Sequence, residues 1–475
     1  MTGQVAKNAL YLTVASVGQK IIAFVYFLFL ARVMMPDLTG QYFLALSIMT
    51  MYSVIAEFGI TSVTTREIAK DPTQAPQLIP HALALKLPLM TVAVVGAILT
   101  GRFLGYEPEV QTLIAISSVV LVIDALQVFF YGVLRGFQAL QYEAVGIFSG
   151  MMTTAILGGL VLVFAPSLPL LVVALIAGSS VNLLVSSHRV ARRVGWKTLI
   201  PRWSARDAKT IMRMAFPFAL AAIFVKVYSY IDSIFISKFL DTTAVGLYAI
   251  AYKFTYAFQF LPLAFVAALY PGMSAVAGKD DVALNRILLR SMWYMAILSA
   301  PIVFGLYAIA PEAILLAGDG YAGATAVLQA LVFVLIPIFL DFPIGALLNA
   351  SGKQTTKTAI MGVTMVINIV LNAVLIPQVG ILGAGWAALA SFVFMFAAGL
   401  FYIPKVIPTF SFMHLLRTIL PIYLVGLIML VVVIILKPLV GWIPVVLIGG
   451  VVYLIGLLLT GSFKLSDLYY LKLKR

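Results

Sequence analysis

Apolar residues run along this chain in stretches of about twenty, separated by short polar breaks. That pattern predicts helices long enough to cross a bilayer. Fourteen are expected, at 9–33, 41–62, 82–104, 110–132, 144–165, 168–187, 212–237, 247–270, 288–310, 326–349, 358–377, 382–403, 415–436 and 443–461. A membrane β-barrel would need segments of about ten residues alternating between lipid and lumen, and the chain lacks that alternation. The expected fold class is an all-α integral membrane protein with 14 transmembrane helices.

The basic residues orient these spans. With the amino terminus inside, 23 of the 31 Lys and Arg fall on the cytoplasmic side, and only Arg32, Arg102, Lys238 and Lys437 fall outside. Both termini are then expected in the cytoplasm, in a multi-pass cell (inner or cytoplasmic) membrane protein. Lys7 followed by more than 20 apolar residues reads as a retained first span rather than a cleaved signal.

Four cations remain inside spans: Lys20, Lys86, Lys226 and Lys253. Lys20 and Lys226 sit mid-span and are 206 residues apart. The same shift, without a gap, superposes Lys7 on Arg213, Arg32 on Lys238, Gly40 on Gly246 and Tyr42 on Tyr248. The chain therefore reads as two parallel repeats of six spans, related by an axis along the membrane normal, plus an added pair. The expected organisation is a lobe at 1–195, a basic connector at 196–211, a second lobe at 212–405, and spans 13 and 14 with a basic tail at 406–475. A weaker match at offset 216 sets Arg135-Gly136 on Ser351-Gly352 and brings Asp124 within one residue of Asp341.

Composition narrows the chemistry. The chain is 63% hydrophobic and 10% charged, which leaves little for a soluble domain. There is no cysteine, and His81, His188 and His414 lie apart near span ends, so no metal cluster or cofactor is expected. The net charge of +14 does not point to nucleic acid. It follows the cytoplasmic loops, above all 188–211, and suits anionic membrane lipids. No nucleotide-binding GxxxxGK[ST] motif or Ser-His-Asp arrangement is present, and no outer loop exceeds about 16 residues. A transporter rather than an enzyme is expected.

An ammonium at mid-bilayer costs several kcal/mol unless it is paired or faces water, so Lys20 and Lys226 suggest an anion-binding cavity. Ser229, Tyr230, Ser233 and Ser237 fall within about 60° of Lys226 on a helical wheel. Thr13, Ser16 and Gln19 accompany Lys20, and Tyr248, Tyr252, Thr255, Tyr256 and Gln259 form a stripe on span 8. Such stripes line a wet cavity or glue helices together by hydrogen bonds. Candidate binding residues are Lys20, Lys226, Lys253, Ser229, Tyr230, Ser233, Tyr248 and Tyr252. Asp124, Asp232 and Asp341 are candidates for proton or sodium coupling, with structural Lys–Asp pairing as the alternative. Lys86 is expected to snorkel from the end of span 3, and Glu57 and Glu143 to be ordinary interfacial acids.

The run Glu57-Phe58-Gly59-Ile60-Thr61-Ser62-Val63-Thr64-Thr65-Arg66-Glu67-Ile68-Ala69 resembles the end of span 2 in O-antigen and polysaccharide flippases of the Wzx type. So do Leu134-Arg135-Gly136-Phe137-Gln138, Asn368 through Pro377, and Gly380-Ile381-Leu382-Gly383-Ala384, and Arg32 with Gly40 and Tyr42 fits the first connection. The wider superfamily also contains multidrug–cation antiporters and lipid II flippases. The resemblance implies an inverted V-shaped, two-lobe transporter. It would move a polyprenyl-diphosphate-linked oligosaccharide to the outer leaflet by alternating access, with other polysaccharide assembly proteins as partners. A drug antiporter is disfavoured by two central lysines. A lipid II flippase remains an alternative.

Overall fold

The computed structural model describes residues 2–463, with side chains except those of 2–16, 267 and 268. Every regular element among the described residues is helical. Two compact units divide the chain, Met1–Ala249 and Ile250–Arg475.

The first unit opens with α1 (Thr2–Glu57), which is not one rod. Met35 leaves the helical region (φ 64°, ψ 169°) just before Pro36, whose ring cannot continue the preceding turn. The rings of Phe27 and Phe43 then meet at 6.3 Å, where an unbroken helix would hold them about 24 Å apart. The chain folds back at Met35, so α1 supplies two limbs. Thirteen helical segments are long and apolar enough to span a membrane, and the first, Val17–Glu57, contains this hairpin. The architecture is compatible with the fourteen spans expected.

A second break, Phe58 (φ 36°) and Gly59 (φ 70°), leads into α2 (Ile60–Lys70). Gly59 is required twice there, since its backbone is left-handed and an added Cβ would sit 2.5 Å from the carbonyl oxygen of Ala215. Next come α3 (Ala75–Phe103), α4 (Pro108–Gly136), α5 (Leu140–Phe164), α6 (Leu168–Val194) and α7 (Ala205–Phe239). The buried edge of α5 is Gly146, Gly150, Thr154 and Gly158, one every fourth residue. These small residues let α5 approach its neighbours backbone to backbone. An added Cβ on Gly150 would lie 2.8 Å from the Gly178 carbonyl oxygen of α6. Ser204 caps α7 by accepting from the Asp207 N–H (3.3 Å).

The chain reaches α8 (Thr242–Tyr256) through a short turn. Here the repeat becomes visible in space. A Cβ on Gly40 would collide with the carbonyl oxygen of Thr242, and one on Gly246 would collide with that of Pro36. Both the colliding carbonyls and the glycines are 206 apart, so the two repeats cross reciprocally through paired glycines.

The second unit holds α9 (Phe260–Val276), α10 (Asp281–Ala308), α11 (Ala310–Leu315), α12 (Thr325–Val332), α13 (Leu335–Ala350), α14 (Gln354–Val379), α15 (Ile381–Tyr402), α16 (Phe412–Val440) and α17 (Trp442–Leu459). The buried edge of α14 is Ile360, Thr364, Asn368, Asn372 and Ile376, and that of α15 is rich in Gly and Ala. The added pair, α16 and α17, docks on α10. Ser299 meets the Tyr423 hydroxyl (2.9 Å), Tyr453 donates to the Ile297 carbonyl (3.0 Å), and Lys437 pairs with Glu312 (3.0 Å). Ile428, Ile435, Leu439, Leu447 and Leu454 on this pair are exposed, as a lipid-facing surface requires.

Candidate substrate site

Twelve successive residues in the middle of α7, 220–231, are neither buried nor fully exposed. No side of this stretch is fully buried against a neighbouring helix, so each keeps part of its surface uncovered. Lys226 lies at its centre. Its ammonium stands 5.7 Å from the centroid of the Tyr230 ring, one turn along. Among the described residues, no carboxylate lies within ion-pair distance of it. An aromatic face steadies a cation without cancelling its charge, so Lys226 keeps a positive field for an incoming anion. Ser229, next to Tyr230, is half-exposed. Lys20 is exposed on the first limb of α1, likewise without a carboxylate partner among the described residues. The side chains of Lys7, Thr13 and Ser16 and all of 464–475 lie outside the described residues.

The remaining stripe residues turn elsewhere. Ser233 is buried, and Ser47 of the second α1 limb donates to it at 3.5 Å. Ser237 meets the Tyr106 hydroxyl (2.8 Å). Tyr248 is 1% exposed and donates to Asp232 at 2.6 Å. This contact holds α8 against α7 and satisfies the buried carboxylate. Tyr252 is buried and stacks on Tyr256, with ring centroids 4.2 Å apart. Lys253 beside them is half-buried.

The intramembrane acids are nearly all partnered. Asp124 is half-buried and accepts from Gln127 (2.9 Å). Asp341 on α13 forms an ion pair with Lys357 on the first turn of α14 (2.5 Å). The other Asp341 oxygen is buried without a hydrogen-bond partner.

Two expectations are corrected. Lys86 does not snorkel. It is 0% exposed, donates to Glu57 (2.7 Å) and the Ala56 carbonyl (3.2 Å), and lies 5.7 Å from the Phe129 ring. Glu57 and Glu143 are not ordinary interfacial acids. Glu57 also accepts from Thr61, and Glu143 is buried in a two-pronged pair with Arg135, whose Nε donates at 2.8 Å. The α1 and α3 helices bring Glu57 and Lys86 together because Phe58-Gly59 ends α1 at that level. Thr65 donates to the Gly132 carbonyl (2.9 Å), which clamps α2 to α4. These are the sites that sequence reasoning missed. The available signal was a lysine inside an apolar run, with a glutamate near the end of the preceding one.

Similarity to known proteins decides the family. Residues 5–277 match the family described as polysaccharide biosynthesis protein. The chain belongs to the polysaccharide biosynthesis protein family. Residues 217–374 also match the MatE family. A probable low-salt glycan biosynthesis flippase of Haloferax volcanii is 22% identical over 397 residues, 82% of this chain and 81% of that protein. A probable flippase of the same organism is 27% identical over 186 residues, and this match spans only 39% of that protein and 38% of this chain. Among solved structures, the lipid II flippase MurJ in an inward closed conformation aligns over 98% of this chain and 100% of its own, with TM-score 0.74 and 16% identity. An inward-facing multidrug resistance MATE transporter of the MOP superfamily aligns over 83% and 96%, with TM-score 0.67 and 15% identity.

As a polysaccharide biosynthesis family member with this fold, the chain is a multi-pass membrane transporter and not an enzyme. The resembling segments Glu57 to Ala69 and Leu134 to Gln138 acquire a physical role. They supply Thr65 to the α2–α4 clamp, Glu57 to the pair with Lys86 and Arg135 to the pair with Glu143.

Proposed function

We propose that this protein flips a polyprenyl-diphosphate-linked oligosaccharide from the cytoplasmic to the outer leaflet by alternating access, with the diphosphate held at Lys20 and Lys226. The observation that carries this reading is the state of Lys226. It is a half-buried ammonium at the centre of a span, with an aromatic face beside it and no carboxylate against it among the described residues. A diphosphate sheds much of its hydration on entering such a site, and fixed cations replace it. Ser229 and Tyr230 supply hydroxyl donors on the same face, while Ser233 and Tyr248 brace α7 from behind through Ser47 and Asp232; Tyr252 and Lys253 remain candidate binding residues of the second unit. The name of the Haloferax volcanii glycan flippase supports the substrate class.

An organic-cation antiporter would instead want uncompensated acids. Asp341, for one, is taken up by Lys357. For ion coupling, Asp124, Asp232 and Asp341 are the proposed carriers. The deciding experiment incubates purified protein with candidate lipid-linked saccharides and reads the retained species by native mass spectrometry. Retention of a diphosphate-linked saccharide, lost in Lys226→Ala, is expected. Equal retention by that variant overturns the assignment of the site.

A further inference from the structure

A second cationic feature lies in the Ile250–Arg475 unit, away from the mid-span lysines. A cavity of about 660 Å3 opens where the first half of α10 faces the start of α16 and the end of α17. Its volume is in the range of small-molecule sites. Arg286 and Arg290 line it from α10, four residues apart and so on one face. His414 and Thr418 line it from α16, and Trp293 lies one turn beyond Arg290. None of the lining side chains is acidic, and among the described residues neither arginine has a carboxylate partner. The amino-terminal end of the 29-residue α16, capped by Ser411, carries its partial positive charge into the same space.

We infer that this cavity is a binding site for a phosphate group, presented by the headgroup of an anionic membrane lipid. Arginine suits this ligand because its planar fork donates two parallel hydrogen bonds to phosphate oxygens. Trp293 fixes the depth. Its indole N–H donates to the Ser462 carbonyl (2.9 Å), and its ring stacks on Phe463. A tryptophan so held belongs at the headgroup level of a bilayer. The distribution of Lys and Arg puts this end of α10 on the cytoplasmic side. Anchored there, a lipid phosphate would bridge α10 to the added pair α16 and α17. The inference does not depend on the transported substrate.

The test uses the full chain in neutral detergent, offered phosphatidylglycerol, phosphatidylcholine or inorganic phosphate, with bound species counted by native mass spectrometry. Wild type is expected to retain phosphatidylglycerol about tenfold more than phosphatidylcholine. Arg286→Ala with Arg290→Ala should cut that retention about tenfold, while Arg286→Lys with Arg290→Lys keeps part of it. Arg32→Ala with Arg102→Ala removes the same charge at exposed positions elsewhere and should leave retention unchanged. Displacement by millimolar inorganic phosphate would keep the phosphate site but assign it to the free ion. Unchanged retention in the Arg286/Arg290 alanine variant, or an equal loss in the Arg32/Arg102 variant, would overturn the site.

Discussion

Lys86 and Lys226 are the same side chain at comparable places in apolar helices, yet their surroundings are opposite. Lys86 is sealed from water, with a carboxylate at 2.7 Å, a carbonyl at 3.2 Å and an aromatic ring beneath. Lys226 is half-buried with the Tyr230 ring 5.7 Å away and, among the described residues, no carboxylate beside it. A buried ammonium that is fully partnered holds helices in register, and it is spent on that task. One left without an opposite charge serves nothing structural and is available to a ligand. The same contrast runs through the acids. Glu57, Glu143 and Asp341 are consumed by ion pairs, whereas Asp124, among the described residues, meets the neutral amide of Gln127 and the hydroxyl of Ser179.

The largest effect is expected at Lys86. Lys86→Met strands Glu57 in a mostly dry site, and breaking such a pair costs about 3–5 kcal/mol. The variant should fail to accumulate in the membrane, or melt far below wild type in detergent. Lys86→Met with Glu57→Gln should recover much of the loss, because neither charge is then left alone. If the single variant accumulates and melts normally, the pair is not structural.

Lys226 should behave in the reverse way. Lys226→Ala removes a charge with no carboxylate partner, so stability should move by less than about 0.5 kcal/mol. A charge-assisted contact to phosphate is worth about 1.5–3 kcal/mol, so export of lipid-linked glycan should fall at least about tenfold, and likewise for Lys20→Ala. Surface glycan measured against protein level separates the two readouts. Normal glycan display in both variants would remove the anion site.

The split between these lysines also marks where sequence reasoning stops. The spans and the repeat were legible because hydrocarbon imposes length, and because a gapless shift of 206 preserves Gly40 and Gly246, now seen crossing each other. Neither the burial of Lys86 nor its partner was legible, since the expected span began at 82 whereas α3 begins at Ala75. Glu57 reaches it only because Phe58 and Gly59 break the helix there, and a break of that kind is set by packing against Ala215 and Phe218 far along the chain. Lys357 was placed in a loop for the same reason. Its pairing with Asp341 exists only once α14 folds back on α13. The wheel correctly grouped Lys226 with Tyr230, but it could not foresee that Ser233 and Tyr248 face neighbouring helices.

A smaller effect is expected among the acids. Asp124→Asn should weaken the response of transport to an imposed proton or sodium gradient by about fivefold, the low end of a coupling free energy. Asp341→Asn should change it less, since Lys357 already balances that charge. Transport into vesicles across a series of gradients reads this directly. Equal responses in wild type and the double Asn variant would rule out both acids as coupling groups.

The smallest effect is expected where charge meets open water. Asp71 ends α2 and caps the turn Pro72–Gln74, accepting from the Thr73 hydroxyl (2.6 Å), the Thr73 N–H (3.0 Å) and Gln74 (3.0 Å). Those bonds, the Thr73 hydroxyl first, hold its carboxyl below the ordinary aspartate range. A carboxyl whose pKa is lower folded than unfolded adds stability that is present above the unfolded value, about 3.9, and is lost as pH falls through the folded one. Asp71→Asn keeps the acceptor and removes only the charge. Its melting temperature should therefore fall slightly below wild type at pH 6 and meet it on acidification toward pH 3. A gap that stayed constant across that range would mean that the cap acts through geometry alone, and that exposed charge in this protein contributes nothing that buried charge does.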